Sequence, residues 1–539
     1  MVLKKLLRGV LVSMLLYGQY GLCDATPAAE PSPMNSSVLR FRLPSDPITL
    51  DWTLAHTSAE THIIMNIMEG LTEEGPDLQP RAALAEKWDI SPDGKTYTFH
   101  LRKGIKWSDG KPLIAEHFRN SWLRLLDPKT KSSYADFLFD IQNAQAFHDS
   151  KITDPAAVGI KALGDTRLEV TLRRIVPYFL HLPSFWVTFP IRMDLIQKYG
   201  SAWASPKNIV TLGAYQLDTW TRGKLLALKR NPGYFANGTE SAPAIERVEV
   251  LVEADDKKAR ELFKSGQLDF LLDATTDDFI NARSAVEANH VMAAQFPYLA
   301  TYYLGFNVKS GPLRDASVRR ALSAAIDRES IASALQGGQV AAKGWIPPGM
   351  AGYRSEPLMK DSLYDARGNL AKAGYVEGQG FPKLDIWVQK FDGAELLADF
   401  LVKSMRGKLG IELRAHVVVP SEYQKVLASG KAALFVGHWG ADFPDPANFF
   451  EVFSSESGSN RTGWSNPEYD RQLKLARGTL EMSERLAAYA RAEKILLQDE
   501  AVINPLFFKH HTVLVGRRLK EIKISPLNYL FLKVLRLRN

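Results

Sequence analysis

Between residues 384 and 436 the apolar pattern changes period repeatedly, and this order restricts the fold more than any other stretch. Leu384, Ile386 and Val388 alternate as in a strand, whereas Leu397, Leu401 and Met405 share one helix face. Ile411, Leu413 and Val417 return to strand-like spacing. A second helix is expected over 421–429, stopped by Gly430, and an apolar strand over 432–436 follows it. Strand, helix, strand, helix, strand in this order implies a parallel sheet with right-handed crossovers. Open parallel sheets bind ligands beyond the carboxyl ends of their strands. Residues 438–446, from His438 to Pro446, are the loop that this topology marks.

Elsewhere the same two periods recur, so the class is mixed α/β. Tyr97, Phe99 and Leu101 alternate with polar neighbours, and Phe118, Trp122, Leu125 and Leu126 follow at helical spacing. Leu168, Val170 and Leu172, and then Val248, Val250 and Val252, read as further strands. A helix is expected from about 317, with Asp315 as its cap. With 539 residues the chain exceeds one simple core, so two or more lobes are expected.

The first residues carry Lys4, Lys5 and Arg8, then an apolar run over 9–17 and small residues around Cys23. This is the pattern of an export signal over 1–23, cleaved at about 22–25. A flexible segment over 24–37 follows, and the protein is expected to be periplasmic. Cys23 is the only cysteine, so it forms no intramolecular disulfide; its position suggests lipid attachment, although Leu22 departs from the small residue such signals carry. The net charge of +7 falls to +4 without the three signal cations, and no basic block points to nucleic acid.

Motifs for catalysis are absent. None of the 11 histidines is followed by glutamate, which excludes a His-Glu-x-x-His zinc helix. There is no Gly-x-Ser-x-Gly elbow, and Asp89 stands where a phosphate loop ending at Gly94-Lys95-Thr96 would need glycine. His510 and His511 lack further ligands at metal-binding spacing. Asp255-Asp256 and Asp277-Asp278 read as helix starts. No cofactor, no metal and no enzymatic activity are expected.

Residues 97–112, with Ala85-Glu86-Lys87-Trp88 before them, resemble the signature region of the oligopeptide/dipeptide family of ABC-transporter solute-binding proteins. Gly213-Ala214-Tyr215, with alanine in place of proline, Asn231-Pro232-Gly233-Tyr234, Phe306-Asn307, Ala325-Ile326-Asp327-Arg328, Asp445-Pro446 and Asn466-Pro467-Glu468-Tyr469 continue the likeness in order. The resemblance implies a two-lobed, hinged periplasmic-binding-protein fold. Its first lobe would comprise 38–68, 197–300 and 501–539, its inserted subdomain 69–196, and its second lobe 301–500.

The resemblance further implies a monomer that closes on short peptides and docks on an ABC permease in the membrane. Asp442 matches the aspartate that holds the ligand's ammonium; capping of the turn at Phe443-Pro444 is the alternative role. Trp439 would line the ligand or pack in the core, and His438 and Gly440 would offer backbone groups. Tyr134 matches a tyrosine enclosing the amino end, and His56, Thr57 and Ser58 match a lip loop. Val436 stands where tripeptide binders carry arginine, which leaves carboxyl recognition and peptide length open. The same scaffold serves cell-wall peptides, nickel chelates and oligosaccharides; a secreted hydrolase is the rival from another class.

Overall fold

The computed structural model describes residues 37–272, 274–284 and 292–538. The export signal, the segment 24–36 and Cys23 lie outside the described residues. The expected alternation of strand and helix over 384–440 is present. Strands Leu384–Gln389, Leu413–Val418 and Leu434–Gly440 pair in parallel, joined by helices Ala394–Leu409 and Pro420–Ala428. The last strand differs from the expected 432–436. It starts later and continues to Gly440 because Met292–Phe306 pairs with it in antiparallel register, Phe306 opposite Leu434 and Ala300 opposite Gly440. His438, Trp439 and Gly440 therefore belong to a strand, and the loop begins at Ala441.

These strands form one side of an 11-stranded sheet. At its centre, Met292–Phe306 and Ile503–Val515 run antiparallel beside each other. Beyond them follow Phe270–Leu271, Val38–Leu43, Arg247–Val252 and the hairpin Leu225–Arg230 with Tyr215–Thr221. The two central strands change register between Pro297 and Thr301 and again between Tyr302 and Tyr303. Extra residues on one strand of a pair bend it and sharpen its twist.

Two main hydrophobic cores lie on either side of the parallel strands. Leu304, Phe306, Val318, Leu322, Ile386, Leu401 and Phe507 belong to one core, which includes one face of the parallel strands. Phe41, Val250, Phe99, Phe118 and Phe435 belong to the larger core. Neighbouring residues Leu434 and Phe435 fall into different cores, as the period of two along a strand requires.

The signature region builds a separate four-stranded antiparallel sheet, ordered Ala85–Ile90, Thr96–Leu101, Arg167–Thr171, Ile160–Ala162. Tyr97, Phe99 and Leu101 all point inward, and helix Ala115–Leu126 buries Phe118 and Trp122. Asp315 caps helix Ala316–Ala324 through the Ser317 amide at 2.7 Å, as expected. At Gly213 a side chain would lie 2.5 Å from the Ile67 carbonyl carbon, so only glycine admits this approach of the two backbones.

Candidate functional site

Asp442 lies two residues past the strand end, on the turn that the short helix Ala447–Phe450 closes. Asn448 on that helix organises the turn. Its Oδ1 accepts hydrogen bonds from Trp439 Nε1 at 2.9 Å and from the Asp442 amide at 3.3 Å. Its Nδ2 donates to Asp442 Oδ2 at 3.5 Å. One side chain thereby ties the strand end to the carboxylate.

The Asp442 carboxyl is mostly buried and, among the described residues, has no cationic partner. Loss of water pushes its pKa up to about 6, against the weak pull of the Asn448 hydrogen bond and with a small push from Asp136. The surrounding side chains are phenols. Burial, and secondly the charge of Asp442, raise Tyr134 to about 12 and also raise Tyr298. Tyr529 is raised for the same two leading reasons. By contrast, Asp445, three residues on, accepts two hydrogen bonds from Arg485 Nη2 at 2.6 and 2.8 Å. Within one loop, then, one aspartate is neutralised by the protein and the other is left without a counter-charge.

Aromatic side chains pack around the turn. Tyr178 stacks on Phe443 with ring centroids 4.7 Å apart, and Phe137 meets Phe443 edge-on at 6.0 Å. Tyr134 packs edge-on against Phe185 and Trp186 at 5.5 and 5.4 Å. Gly440 sits opposite Tyr298, whose hydroxyl would be 2.6 Å from any added Cβ. Glycine thus lets the tyrosine reach toward Asp442.

The structure brings Trp439, Gly440, Asp442 and Tyr134 into one neighbourhood. His438 faces away from Trp439, stacked on Tyr302 at 5.1 Å. The lip loop is attached nearby, because Trp186 Nε1 donates to the Ala55 carbonyl at 3.1 Å. Within that loop Thr57 caps helix Ser58–Ile67, its hydroxyl donating to Glu60 Oε2 at 3.0 Å, while the Glu60 carboxylate accepts from the amides of His56 and Thr57 at 2.8 Å each. The His56 and Ser58 side chains remain exposed.

Sequence reasoning missed Asn448, Tyr298, Tyr178 and Tyr529. Asn448 follows Asp442 by six residues and carries no motif. The three tyrosines arrive from distant strands and loops. His510 and His511, the adjacent pair, lie on Ile503–Val515, with His511 packed against Tyr298 at 4.3 Å. No group of three or more metal-ligating side chains occurs among the described residues.

The family model for bacterial extracellular solute-binding proteins, family 5 Middle, matches residues 79–461. The periplasmic oligopeptide-binding protein OppA of Salmonella typhimurium is 30% identical over 463 residues, covering 83% of each chain. The probable deoxycholate-binding periplasmic protein YgiS of Escherichia coli is 29% identical over 483 residues, covering 88% of each. The unliganded open form of the periplasmic murein tripeptide-binding protein MppA superposes with a TM-score of 0.79 at 27% identity, covering 94% of this chain and 98% of that one. The two-lobed α/β architecture and the match across most of the chain lead to one conclusion: the protein belongs to the bacterial extracellular solute-binding proteins, family 5.

Proposed function

We propose that this protein captures short peptides between its lobes, anchoring their free α-ammonium on Asp442, and delivers them to an ABC importer. The observation that carries the reading is a desolvated carboxylate with no cation, enclosed by tyrosines at a strand end. A peptide ammonium would supply the missing charge and donate up to three hydrogen bonds there. Trp439 and Tyr134 would flank it, with backbone groups of His438 and Gly440 and the lip loop of His56, Thr57 and Ser58 further along the peptide. The first lobe (38–68, 197–300, 501–539), the inserted subdomain (69–196) and the second lobe (301–500) would close about the register changes in the two central strands. The protein would act as an exported monomer without catalysis, tethered through Cys23 if that residue carries lipid.

Calorimetric titration with tri-alanine and with its N-acetyl derivative tests the anchor. The acetylated peptide is expected to bind at least about thirty-fold more weakly, since truncating one partner of a buried charge pair costs ~2–5 kcal/mol. Equal affinities would remove Asp442 as an ammonium site. Deoxycholate, named for the Escherichia coli relative, is an anion and gains nothing from an unneutralised carboxylate; it is expected not to compete with tri-alanine.

A dependence on pH follows from the same charge. Asp442 in the empty site titrates at about 6, and a bound ammonium favours its ionised form. Binding therefore releases a proton below pH 6, and tri-alanine affinity is expected to fall toward about ten-fold per pH unit there. Titrations at about pH 5 and about pH 7.5, on either side of that value, check this. An unchanged affinity would contradict it.

A further inference from the structure

A cavity of about 660 Å³ lies between the loop 173–175 with Lys95 on one side and helix Pro467–Arg477 with the loop 454–456 on the other. Its wall carries Lys95, Arg173, Arg174, Lys474 and Arg477 against Glu456 and Asp470. Arg173 and Arg174 share the single carboxylate of Asp140, through Nε donors at 3.0 and 2.7 Å, and Arg477 holds Glu451. Lys95 and Lys474 form no ion pair among the described residues. Arg174 Nη1 is buried and lacks an acceptor at good hydrogen-bond geometry, while the same guanidinium interacts with Tyr178 as well as Asp140. Positive charge remains in excess even with Asp140 and Glu451 counted.

The arginines oppose each other across the seam. Burial, and next the charge of Arg174, depress the Arg477 guanidinium. A buried donor without an acceptor and like charges at close range are both costly. A bridging oxyanion would relieve both costs, because guanidinium matches its geometry with paired donors.

From these residues we infer a binding site for a small multivalent oxyanion, of the phosphate or sulfate class, that bridges the inserted subdomain and the second lobe. Arg174 and Lys95 hold it from one side, and Arg477 and Lys474 from the other. The site adjoins the peptide-binding space through Tyr178, which feels both Arg174 and Arg477 while its ring stacks on Phe443, the neighbour of Asp442. An anion that clamps the two sides favours the arrangement in which Tyr178 covers the peptide space, so anion and peptide strengthen each other's binding.

Equilibrium dialysis of the full chain against radiolabelled inorganic phosphate, with ionic strength held constant by chloride, tests the site without any peptide. Saturable binding at one phosphate per chain, displaced by sulfate, is expected. Lys95→Gln with Lys474→Gln removes two exposed or half-exposed charges that no ion pair uses, and is expected to weaken binding about five-fold or more. Arg174→Gln is expected to do so as well, with the melting temperature as the check on folding. Absence of saturable binding, or unchanged affinity in the lysine variant, overturns the site. Phosphate is further expected to raise tri-alanine affinity about five-fold in the parent chain and not in the lysine variant. Bound phosphate without that gain overturns the bridging. If tri-alanine fails to bind under any condition, the peptide reading falls, and the dialysis result still decides the oxyanion site.

Discussion

Asp442→Asn is expected to weaken peptide binding by several kcal/mol while making the ligand-free protein more stable. The two effects share one cause. The isosteric amide keeps an acceptor for the Asn448 side chain but removes the charge that a peptide ammonium would neutralise. Without ligand that charge is a burden, since the folded state raises the Asp442 pKa from 3.8 to about 6. The folded chain then holds this proton more tightly than the unfolded chain. The stability that Asp442 contributes is therefore fully present below about pH 4 and is lost as pH rises through about 6. Two pKa units correspond to about 3 kcal/mol, and roughly 2 kcal/mol remains after allowing for residual exposure. Urea denaturation of both proteins at about pH 4 and about pH 7.5 measures it. The advantage of the asparagine variant is expected at the higher pH and shrinks at the lower. Equal stability at both would mean that Asp442 is well solvated in the empty protein.

Asp445→Ala has the opposite consequence, a loss of about 3–5 kcal/mol of stability. Asp445 and Arg485 are nearly inaccessible, at 5% and 2% side-chain exposure, and both carboxylate oxygens accept from one guanidinium nitrogen. Asp445 also accepts the Ala447 amide at 2.9 Å, which starts the helix bearing Asn448. Removing the carboxylate leaves a buried guanidinium whose Nε already lacks an acceptor. Pairing Asp445→Ala with Arg485→Met is expected to recover part of the loss, because the stranded charge disappears with its partner. A single variant as stable as the parent in chemical denaturation would show that the pair is not desolvated. The contrast with Asp442 separates an aspartate paired within the protein from one with no cationic partner among the described residues.

The parallel unit over 384–440 was legible because each of its elements has a local period, and because Gly430 marks a helix end. Strand boundaries were less so. Leu434–Gly440 runs on to Gly440 only because Met292–Phe306 lies beside it, and that partner comes from a distant part of the chain. Met292–Phe306 itself has a continuously buried half from Leu299 to Phe306, covered on both faces and therefore without alternation. In Ile503–Val515, Pro505 argues against a central strand, yet it falls opposite Tyr303 at a register change where a missing amide is tolerated. Asp442 could be singled out by its position beyond a parallel strand. Its lack of a counter-charge could not, because that depends on which cations the fold keeps away. Thr57 shows the reverse case: the Thr-x-x-Glu spacing of a capping box was present in the sequence, and the hydroxyl is used by the helix.

The placement of Ile503–Val515 governs the order in which the chain can be completed. This strand lies between Met292–Phe306 and Phe270–Leu271 in the middle of the sheet, yet it follows nearly every other strand in sequence. Until those residues are synthesised, Met292–Phe306 has an open edge, and Phe270–Leu271 beside Val38–Leu43 lacks its other partner. Contacts of such long sequence separation close slowly. The central sheet of this topology therefore cannot be completed until Ile503–Val515 has been made, long after the strands that flank it.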